Sequence, residues 1–382
     1  MKILWVNPSF LDYRVPVYQK LNELTNGNFH IIYSKNRVPD RIVTKISGVL
    51  GQNAVGMENE KSFGLAGKGD FANTEYKIPY QPGLYKAISS VNADIIIGEG
   101  FFQWTPMALL RAMLKRKKFL IAYERTEHTE RNCPRWRTLY RQVISKFVDG
   151  YSANGQLTIE YLEKIGVNKD KIFLGGMSAD SENLVSGVNT FSSEDKKVLN
   201  EGLGIKGGLT YLYAGQMNER KGVMFMLKAW RKHVEQFPAD TLLAIGTGPL
   251  FEAFKSEYAD LNSVKLLGMV DYDIIYKYYA IADVFIIPTL EDNWSLVVPE
   301  AMACGLPVAC SIYNGCYPEL VKEGVNGKLF DPLHEDTLIE TLKYFHTQNL
   351  TAMGDASKEI EKSYNADAVA GKIFNSFTKL LS

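Results

Sequence analysis

The chain has 382 residues, of which 46% are hydrophobic and 23% are charged, close to the average for globular proteins. This composition excludes a wholly disordered chain, and the length predicts two domains. Lys and Arg number 43, as do Asp and Glu, so the net charge of zero argues against a dedicated nucleic-acid binder. Residues 1–190 carry 25 Lys and Arg against 18 Asp and Glu, and the remaining residues carry the reverse, which fits two domains with different partners.

The four cysteines, Cys133, Cys304, Cys310 and Cys316, form no CxxC pair and have no zinc-site spacing. We therefore expect reduced thiols in a cytoplasmic protein. The first residues lack the apolar core of a signal peptide, and no run of about 18 uncharged apolar residues predicts a membrane span.

Short apolar runs alternate with amphipathic stretches along the chain. The runs predict buried β-strands at 3–6, 29–33, 94–98, 119–123, 171–174, 209–214, 241–245, 264–267, 283–287, 307–310 and 328–330. The stretches predict helices that include 16–24, 106–115, 158–165, 222–236 and 272–282. This alternation indicates parallel sheets covered by helices on both faces.

The alternation begins again near residue 209, which predicts two α/β domains. The polar segment 178–190 is the expected linker, and the Gly-rich segment 48–70 is interpreted as a long mobile loop. Ligands of open α/β sheets bind beyond the carboxyl ends of the strands, so the residues that follow each strand are the candidate site residues.

The most informative segment is 288–308, which follows a predicted buried strand. Asp292 stands in the loop at the end of that strand, and Glu300 lies in a helix predicted to begin near Ser295. A carboxylate such as Glu300 accepts two hydrogen bonds from a vicinal diol, as in a ribose. A solvated helix residue fits the same pattern, and both interpretations stay open.

Two adjacent cations, Arg220 and Lys221, lie in the loop after the predicted strand 209–214, where a helix begins. Such cations, together with free backbone amides at a helix start, suit a diphosphate. A surface loop with two solvated cations is the alternative. The segment lacks the Walker pattern, which excludes a P-loop ATPase.

Together these segments resemble the retaining family 4 glycosyltransferases, whose E-x7-E motif consists of two glutamates separated by seven residues. The resemblance covers most of residues 209–332 in order. Asp292 takes the place of the first glutamate, and Glu300 that of the second, which implies that Glu300 binds the ribose of the donor. Lys221 matches the lysine of the family segment G-R-x4-K-G. Gln216 replaces its arginine, for which Arg220 is a candidate substitute.

Further donor-binding residues are implied by the same resemblance. Their positions match the family's turns and helix start, and they are Gly215, Gly248, Met269, Val270, Asn293, Leu296 and Val297. Met269 and Val270 follow a strand at the turn whose backbone reads the nucleotide base in the family. Gly248 belongs to a G-x-G-P turn.

The first half of the chain offers three candidate residues. Family members often keep a histidine that contacts the reacting sugar, which implies that role for His128, in the charged segment 124–131. Surface ion pairs are the alternative for His128 and for Arg14, which follows the first strand. Arg14 and Glu99 are predicted to face the acceptor.

Residues 111–146 hold 11 Lys and Arg against three Glu. An amphipathic helix whose cationic end suits its dipole explains this run, and so does contact with anionic lipid headgroups on the inner face of a membrane. Both interpretations stay open.

The resemblance implies the α/β GT-B fold, with two Rossmann-like α/β/α domains facing each other across a cleft. Residues 1–185 would bind the acceptor, the final helix at 366–382 would pack back on them, and residues 186–365 would bind the donor.

The implied activity is that of a retaining glycosyltransferase. It would move a sugar from a UDP- or GDP-linked donor to a hydroxyl of a glycan or lipid-linked acceptor, in surface polysaccharide biosynthesis. The implied catalytic residues are His128, Asp292, Lys221 and Arg220, because charge develops on the departing diphosphate.

No cofactor and no essential metal are expected. Asp271-Tyr272-Asp273 spells the metal-binding DxD pattern of a different glycosyltransferase fold, and we interpret it as a helix N-cap. Two other functions stay open: a nucleotide-sugar epimerase of the same fold, and a catalytically inactive homologue that binds nucleotide sugars. The replacements at Gln216 and Asp292 favour the inactive homologue.

Overall fold

The computed structural model describes residues 1–65, 69–74 and 76–382. The chain folds into two compact units. The first comprises Met1–Asp180 and Tyr364–Ser382, and the second comprises Ser181–Ser363.

The first unit is built on a seven-stranded parallel sheet. Its strands and those of a separate hairpin are β1 (Ile3–Val6), β2 (Phe29–Ser34), β3 (Ala54–Met57), β4 (Lys61–Leu65), β5 (Tyr76–Tyr80), β6 (Ile95–Glu99), β7 (Lys118–Tyr123), β8 (Gly150–Ala153) and β9 (Ile172–Leu174). Its helices are α1 (Arg14–Leu24), α2 (Asp40–Leu50), α3 (Leu84–Val91), α4 (Thr105–Lys115), α5 (Arg135–Ser145) and α6 (Gln156–Lys164). The sheet order is β3-β2-β1-β6-β7-β8-β9, and β4 pairs antiparallel with β5.

Both faces of this sheet are buried, as the near-continuous apolar runs predict. Ile3 and Trp5 of β1 join the core shared with α1 and α2, whereas Leu4 and Val6 join the opposite core, shared with α3 and α4. Because successive side chains of a strand point to opposite faces, an unbroken apolar run fills both cores.

The second unit repeats the design with six parallel strands. They are β10 (Thr210–Ala214), β11 (Thr241–Ile245), β12 (Val264–Gly268), β13 (Val284–Ile287), β14 (Val308–Ser311) and β15 (Gly327–Phe330), in the order β12-β11-β10-β13-β14-β15. The helices are α7 (Glu182–Thr190), α8 (Ser193–Leu203), α9 (Val223–Gln236), α10 (Phe251–Glu257), α11 (Tyr276–Ile281), α12 (Val297–Ala303), α13 (Tyr317–Leu320), α14 (Glu335–Tyr344) and α15 (Leu350–Glu361).

The strand order of each sheet reverses at one point, where a binding crevice is expected. The reversal lies between β1 and β6 in the first unit, and between β10 and β13 in the second. The predicted α/β class with two Rossmann-like halves is therefore confirmed.

The last helix, α16 (Ala366–Leu381), belongs to the first unit. Asn365 caps it, because its side chain accepts a hydrogen bond from the amide of Ala368 at 2.9 Å. The buried side chains recur at helical spacing and include Val369, Ile373 and Phe377, which join the core next to α1. The chain thus returns to its first unit through one apolar helix face.

Three segments differ from the predictions. The segment 48–70 is not one loop, since it includes the end of α2 together with β3 and β4, while residues 66–68 lie outside the described part. The segment 178–190 is largely helix α7, because Leu184 is buried and anchors that helix. A strand was not predicted at Gly150–Ala153, yet these residues form β8.

Among the described residues, no helix combines the length and the apolar character that crossing a bilayer requires.

We predict that Phe377→Ala destabilises the first unit by about 3–5 kcal/mol, because a fully buried phenyl ring is lost and a cavity remains. Thermal and urea unfolding measure the effect, and the exposed Asn375→Ala on the same helix is the control. Equal stability of the two variants would contradict the packing role of α16.

Candidate functional site

The loops after β10 and β13 meet at the point where the sheet of the second unit reverses its order. The backbone amide of Leu290 donates to the carbonyl of Arg220 at 2.8 Å. Gly222 has φ of +67°, and a Cβ at this residue would overlap the carbonyl oxygen of Pro288. A glycine is therefore required for this close approach, which brings the cations of one loop beside the carboxylate of the other.

Lys221 and Asp292 form the centre of this site. The Nζ of Lys221 lies 2.5 Å from Oδ2 of Asp292, and Nη1 of Arg220 lies 3.9 Å from the same oxygen. Asp292 also accepts hydrogen bonds from the Ser295 hydroxyl at 2.8 Å and from the Trp294 amide at 3.2 Å. Burial raises the pKa of Asp292, but the Lys221 charge and these bonds outweigh it, so the pKa lies below its ordinary value. One anion and two cations leave a net positive charge.

The Arg220 side chain is held toward this site. Its Nη1 donates to the carbonyl oxygen of Glu291 at 2.9 Å, in the loop after β13. The adjacent cations predicted from sequence are thus both near Asp292.

Glu300 lies in the first turn of α12 and is half-buried. The Tyr279 hydroxyl, from a side chain only 1% exposed, donates to Oε2 of Glu300 at 3.5 Å. Burial, with the Glu300 charge next in size, raises the pKa of Tyr279. Glu300 is thus half-buried and held by a long hydrogen bond, and its role toward a ribose stays a prediction.

Gln216 is exposed and lies near the cations through Asn218. The Oε1 of Gln216 accepts from Nδ2 of Asn218 at 3.3 Å, and Oδ1 of Asn218 accepts from the Lys221 amide at 3.1 Å. The neighbouring Gly215 donates its amide to the carbonyl of Ile245 at 3.0 Å.

The other predicted donor residues lie at the same edge of the sheet. Met269 is 84% exposed after β12, and Gly248 packs against the carbonyl of Met217. The remaining ones are half-buried: Val270, Asn293, Leu296 and Val297.

Asn314 also belongs to this site. It is fully buried, and its Oδ1 accepts from the Ser295 amide at 3.3 Å, so it supports the residue that bonds Asp292. The amide of the next residue, Gly315, donates to the Asp292 carbonyl at 2.9 Å. The sequence signal for this loop is the resemblance of residues 314–320, shortly after the buried strand β14, to the family's loop that contacts the donor phosphate and sugar.

In the first unit, the structure brings Arg14 and Glu99 together at the ends of β1 and β6. Nη2 of Arg14 lies 3.5 Å from Oε1 of Glu99, and the Trp5 indole donates to Oε2 of Glu99 at 2.9 Å. Arg14 is 5% exposed, so the interpretation as a surface ion pair is wrong. Burial raises the pKa of Glu99 to about 7; Arg14 opposes this shift and the charge of Glu124 adds to it.

Glu99 lines a cavity of about 1150 Å³ in the first unit. The cavity is bordered by the ends of β6 and β7, by α5 and by residues 69–74. His128 is half-buried in the turn after β7, and it is absent from the described lining of this cavity, although Glu124, Arg125 and Glu130 border it. The role of His128 stays a prediction.

Two histidines that the sequence did not place in a site meet at the opposite edge of the second sheet. Nε2 of His233 and Nε2 of His346 each lie 2.8 Å from Oδ2 of Asp240. The Leu209 amide donates to the other carboxylate oxygen at 2.9 Å. Nδ1 of His233 is buried without a hydrogen-bond partner among the described residues, whereas a metal-bound histidine usually donates its second nitrogen. We therefore interpret this cluster as structural.

The Asp271-Tyr272-Asp273 segment is not a side-chain N-cap. Helix α11 begins at Tyr276 after a turn, and its N-cap residue, Ile275, makes no capping bond. The backbone carbonyl of Asp271 instead accepts the amide of Ile274 at 3.1 Å within that turn.

A family model described as "Glycosyl transferases group 1" matches residues 208–348. The match covers β10 to α14 and so includes Lys221, Asp292 and Glu300.

Curated relatives match parts of the chain. The alpha-monoglucosyldiacylglycerol synthase of Acholeplasma laidlawii is 26% identical over 58% of this chain and 57% of its own. The amylovoran biosynthesis glycosyltransferase AmsK of Erwinia amylovora is 32% identical over 32% of each chain. The chain thus spans about a third to three fifths of the length of the curated relatives it matches.

Solved structures match the fold of this chain over almost its whole length. Anabaena Alr3699/HepE in complex with UDP has a TM-score of 0.75 at 16% identity, covering 99% of this chain and 100% of its own. A likeness at this identity shows the fold alone. The chain has the GT-B fold, and its residues 208–348 match the group 1 glycosyl transferases.

Proposed function

We propose that the protein is a retaining glycosyltransferase, which moves a sugar from a UDP- or GDP-linked donor to a hydroxyl of a glycan or lipid-linked acceptor. The observation that carries the proposal is the charge group of Lys221, Arg220 and Asp292 at the strand ends of the group 1 domain. Surface polysaccharide biosynthesis is the proposed setting, and it is supported by the similarity to the Erwinia glycosyltransferase of amylovoran biosynthesis.

The two cations would bind the diphosphate of the donor. With Asp292 ionised, the group carries one net positive charge, and the half-buried position strengthens its attraction for an anion. Negative charge grows on the diphosphate as the sugar leaves, so Lys221 and Arg220 would stabilise the transition state more than the bound donor.

The two carboxylates would bind the rest of the donor. Glu300 would accept hydrogen bonds from the ribose hydroxyls, while Tyr279 fixes its orientation from below. Asp292 would contact the transferred sugar once Lys221 turns to the phosphate. We assign no general base to the chain, since the leaving phosphate can accept the proton of the acceptor hydroxyl.

The acceptor would bind the first unit at Glu99 and Arg14, with His128 as a further contact to the reacting sugar. Glu99 borders the cavity, and Arg14 is buried behind it. An ionised Glu99 would accept a hydrogen bond from an acceptor hydroxyl.

A peripheral contact with an anionic membrane is proposed through α4 and α5. Leu114 of α4 and Leu139 of α5 are apolar and are 61% and 62% exposed, and the exposed cations Lys115 and Arg116 follow Leu114 in the chain. Exposed apolar and cationic side chains on one helix suit lipid headgroups. The proposed localisation is therefore cytoplasmic, on the inner membrane face. The similarity to the Acholeplasma alpha-monoglucosyldiacylglycerol synthase, an enzyme named for a glycolipid, supports this contact.

A thermal-shift panel of nucleotide sugars, followed by product analysis, tests the activity. We expect a UDP or GDP sugar to raise the melting temperature and to be transferred with retained anomeric configuration, with and without EDTA, since we propose no essential metal. Conversion of the donor to an isomeric nucleotide sugar without an acceptor would indicate an epimerase. Binding without turnover on any acceptor would indicate an inactive homologue.

We predict that Glu300→Ala weakens donor binding about 10- to 150-fold, because the loss of a hydrogen bond to a charged group costs roughly 1.5–3 kcal/mol. Calorimetric titration with the donor measures the effect. Glu340→Ala makes the same chemical change on an exposed face of α14 and serves as the control. If Glu300→Ala binds the donor as tightly as the wild type does, Glu300 does not bind the ribose of the donor.

Lys221→Ala is expected to lower kcat about 100-fold, with a smaller change in donor affinity, since the charge acts mainly as the bond breaks. Steady-state kinetics with a dissociation constant for the donor separate the two effects. Lys228→Ala, an exposed lysine in α9, is the matched control. An unchanged kcat in Lys221→Ala would contradict the role.

A pH dependence follows from Glu99, whose pKa is raised from 4.5 to about 7. The carboxyl is ionised above that pH, so KM for the acceptor should fall as pH rises through about 7. The folded state holds its proton more tightly than the unfolded state, so Glu99 should lower stability progressively as pH rises from about 4.5 to about 7. Kinetic and unfolding profiles of Glu99→Gln should lose both components, and profiles identical to wild type would refute the assignment.

A further inference from the structure

The cavity of the first unit is larger than most small-molecule sites, which measure about 300–1000 Å³. Its volume is about 1150 Å³, and it lies entirely within the first unit. A single sugar ring would leave most of this space filled with water, so the volume favours a ligand of several rings.

Among the described residues, the charges that border the cavity balance when Glu99 is ionised. Five cations and five acids of this part of the chain line it: Arg37, Lys77, Arg125, Arg137 and Arg141, with Glu60, Asp70, Glu99, Glu124 and Glu130. A phosphate or a uronic acid would therefore find no excess of positive charge among these residues.

Three of the guanidinium groups already pair with a carboxylate, the loosest pair being Arg125, whose Nε lies 3.7 Å from Oε1 of Glu130. Nε and Nη2 of Arg37 each lie 2.7 Å from a different carboxylate oxygen of Glu60. Nη2 of Arg141 lies 2.8 Å from Glu130, and both side chains are almost fully buried. An incoming anion would have to break these pairs, at the cost of leaving a buried carboxylate without its cation. Hydroxyl groups can instead add hydrogen bonds at the edges of pairs that stay intact.

One wall of the cavity is aromatic. Phe102 stacks on Tyr140 with ring centroids 5.0 Å apart, and Trp136, which is 48% exposed, meets Phe102 edge-on at 6.4 Å. Phe102 is already flanked, because Tyr140 stacks on it and the guanidinium groups of Arg141 and Arg137 lie 5.4 and 5.7 Å from its ring centroid. Arg137 also lies 5.4 Å from the Trp136 centroid, and the exposed part of that indole is the flat apolar surface that suits the C–H face of a pyranose ring. The cavity therefore offers an apolar surface beside paired polar groups.

Residues 69–74 line the cavity and contact the charged side chains of Glu130, Arg131 and Arg137. Nδ2 of Asn73 donates to Glu130 at 3.2 Å, and Nη1 of Arg137 donates to Oδ1 of Asn73 at 2.8 Å. The guanidinium of Arg131 lies 5.8 Å from the Phe71 ring centroid. This segment is thus positioned to limit how a chain of sugars lies in the cavity.

We infer that this cavity binds a neutral oligosaccharide, whose terminal ring meets Glu99 and one of whose further rings packs on Trp136. The inference rests on the proposed function, because it names the class of its acceptor. It selects the glycan over the lipid phosphate as the part of the acceptor that the cavity recognises.

Binding to the full chain without a donor tests this inference. The probes are the neutral trisaccharides maltotriose, mannotriose and chitotriose, the acidic trigalacturonic acid, and vesicles of phosphatidylglycerol, all measured by calorimetry and saturation-transfer NMR. We expect at least one neutral trisaccharide to bind, and to bind more tightly than the acidic one. Binding of none of the neutral probes, or a preference for the acidic one, would overturn the inference.

Trp136→Ala should weaken trisaccharide binding about tenfold, since one stacking face is lost. Phe147→Ala, an equally exposed aromatic residue outside the described lining, is the control and should bind as wild type does. Asn73→Ala tests the crossing segment independently and should also weaken binding. Unchanged binding in both Trp136→Ala and Asn73→Ala would place the glycan elsewhere.

The outcome is separable from that of the proposed function. Trisaccharide binding without any thermal shift by a nucleotide sugar would support the cavity assignment and contradict the transferase. Donor binding with transfer only to a lipid phosphate, and no trisaccharide bound, would support the transferase and overturn the cavity assignment.

Discussion

The site of the second unit depends on a carboxylate that is buried beside two cations. Burial alone would raise the pKa of Asp292, but the charges of Lys221 and Arg220 and the hydrogen bonds from Lys221 and Ser295 bring it below its ordinary value. The two partners come from loops after different strands, so the ion pair joins those loops, and the glycine at Gly222 permits the approach. In the proposed reaction, the same lysine would leave this partner for the diphosphate, which would free Asp292 to meet the sugar.

The strands could be predicted because both faces of each sheet are buried. The run Ile3–Val6 is apolar throughout and Thr241–Ile245 is apolar after its first residue, and both were predicted with the bounds that the structure has. Strand β8, Gly-Tyr-Ser-Ala, carries no aliphatic run, and β3 contains a glycine, so composition gave no strand signal there. Their pairing with β7 and β2 supplies the stability that local sequence does not.

Site residues were predictable where one short motif contains them. Asp292 and Glu300 lie within a single loop and helix, so spacing alone relates them. The contacts between Arg14 and Glu99, or between Asn314 and Ser295, join distant parts of the chain, and no local pattern encodes them. The cluster of His233, Asp240 and His346 was missed for the same reason, since three separate elements bring it together.

The candidate sites of the two units differ in charge, and this difference would let one unit select the proposed donor and the other the proposed acceptor. In the second unit, the three side chains of Lys221, Arg220 and Asp292 together carry one net positive charge, which favours a diphosphate. The cavity of the first unit is bordered by balanced charges whose strongest pairs are internal, so a free nucleotide gains little there. In the proposed binding, a neutral glycan would gain little from the cations of the second unit and more from the exposed indole of Trp136. Charge in one unit and aromatic surface in the other would thus keep the donor and the acceptor from competing for one site.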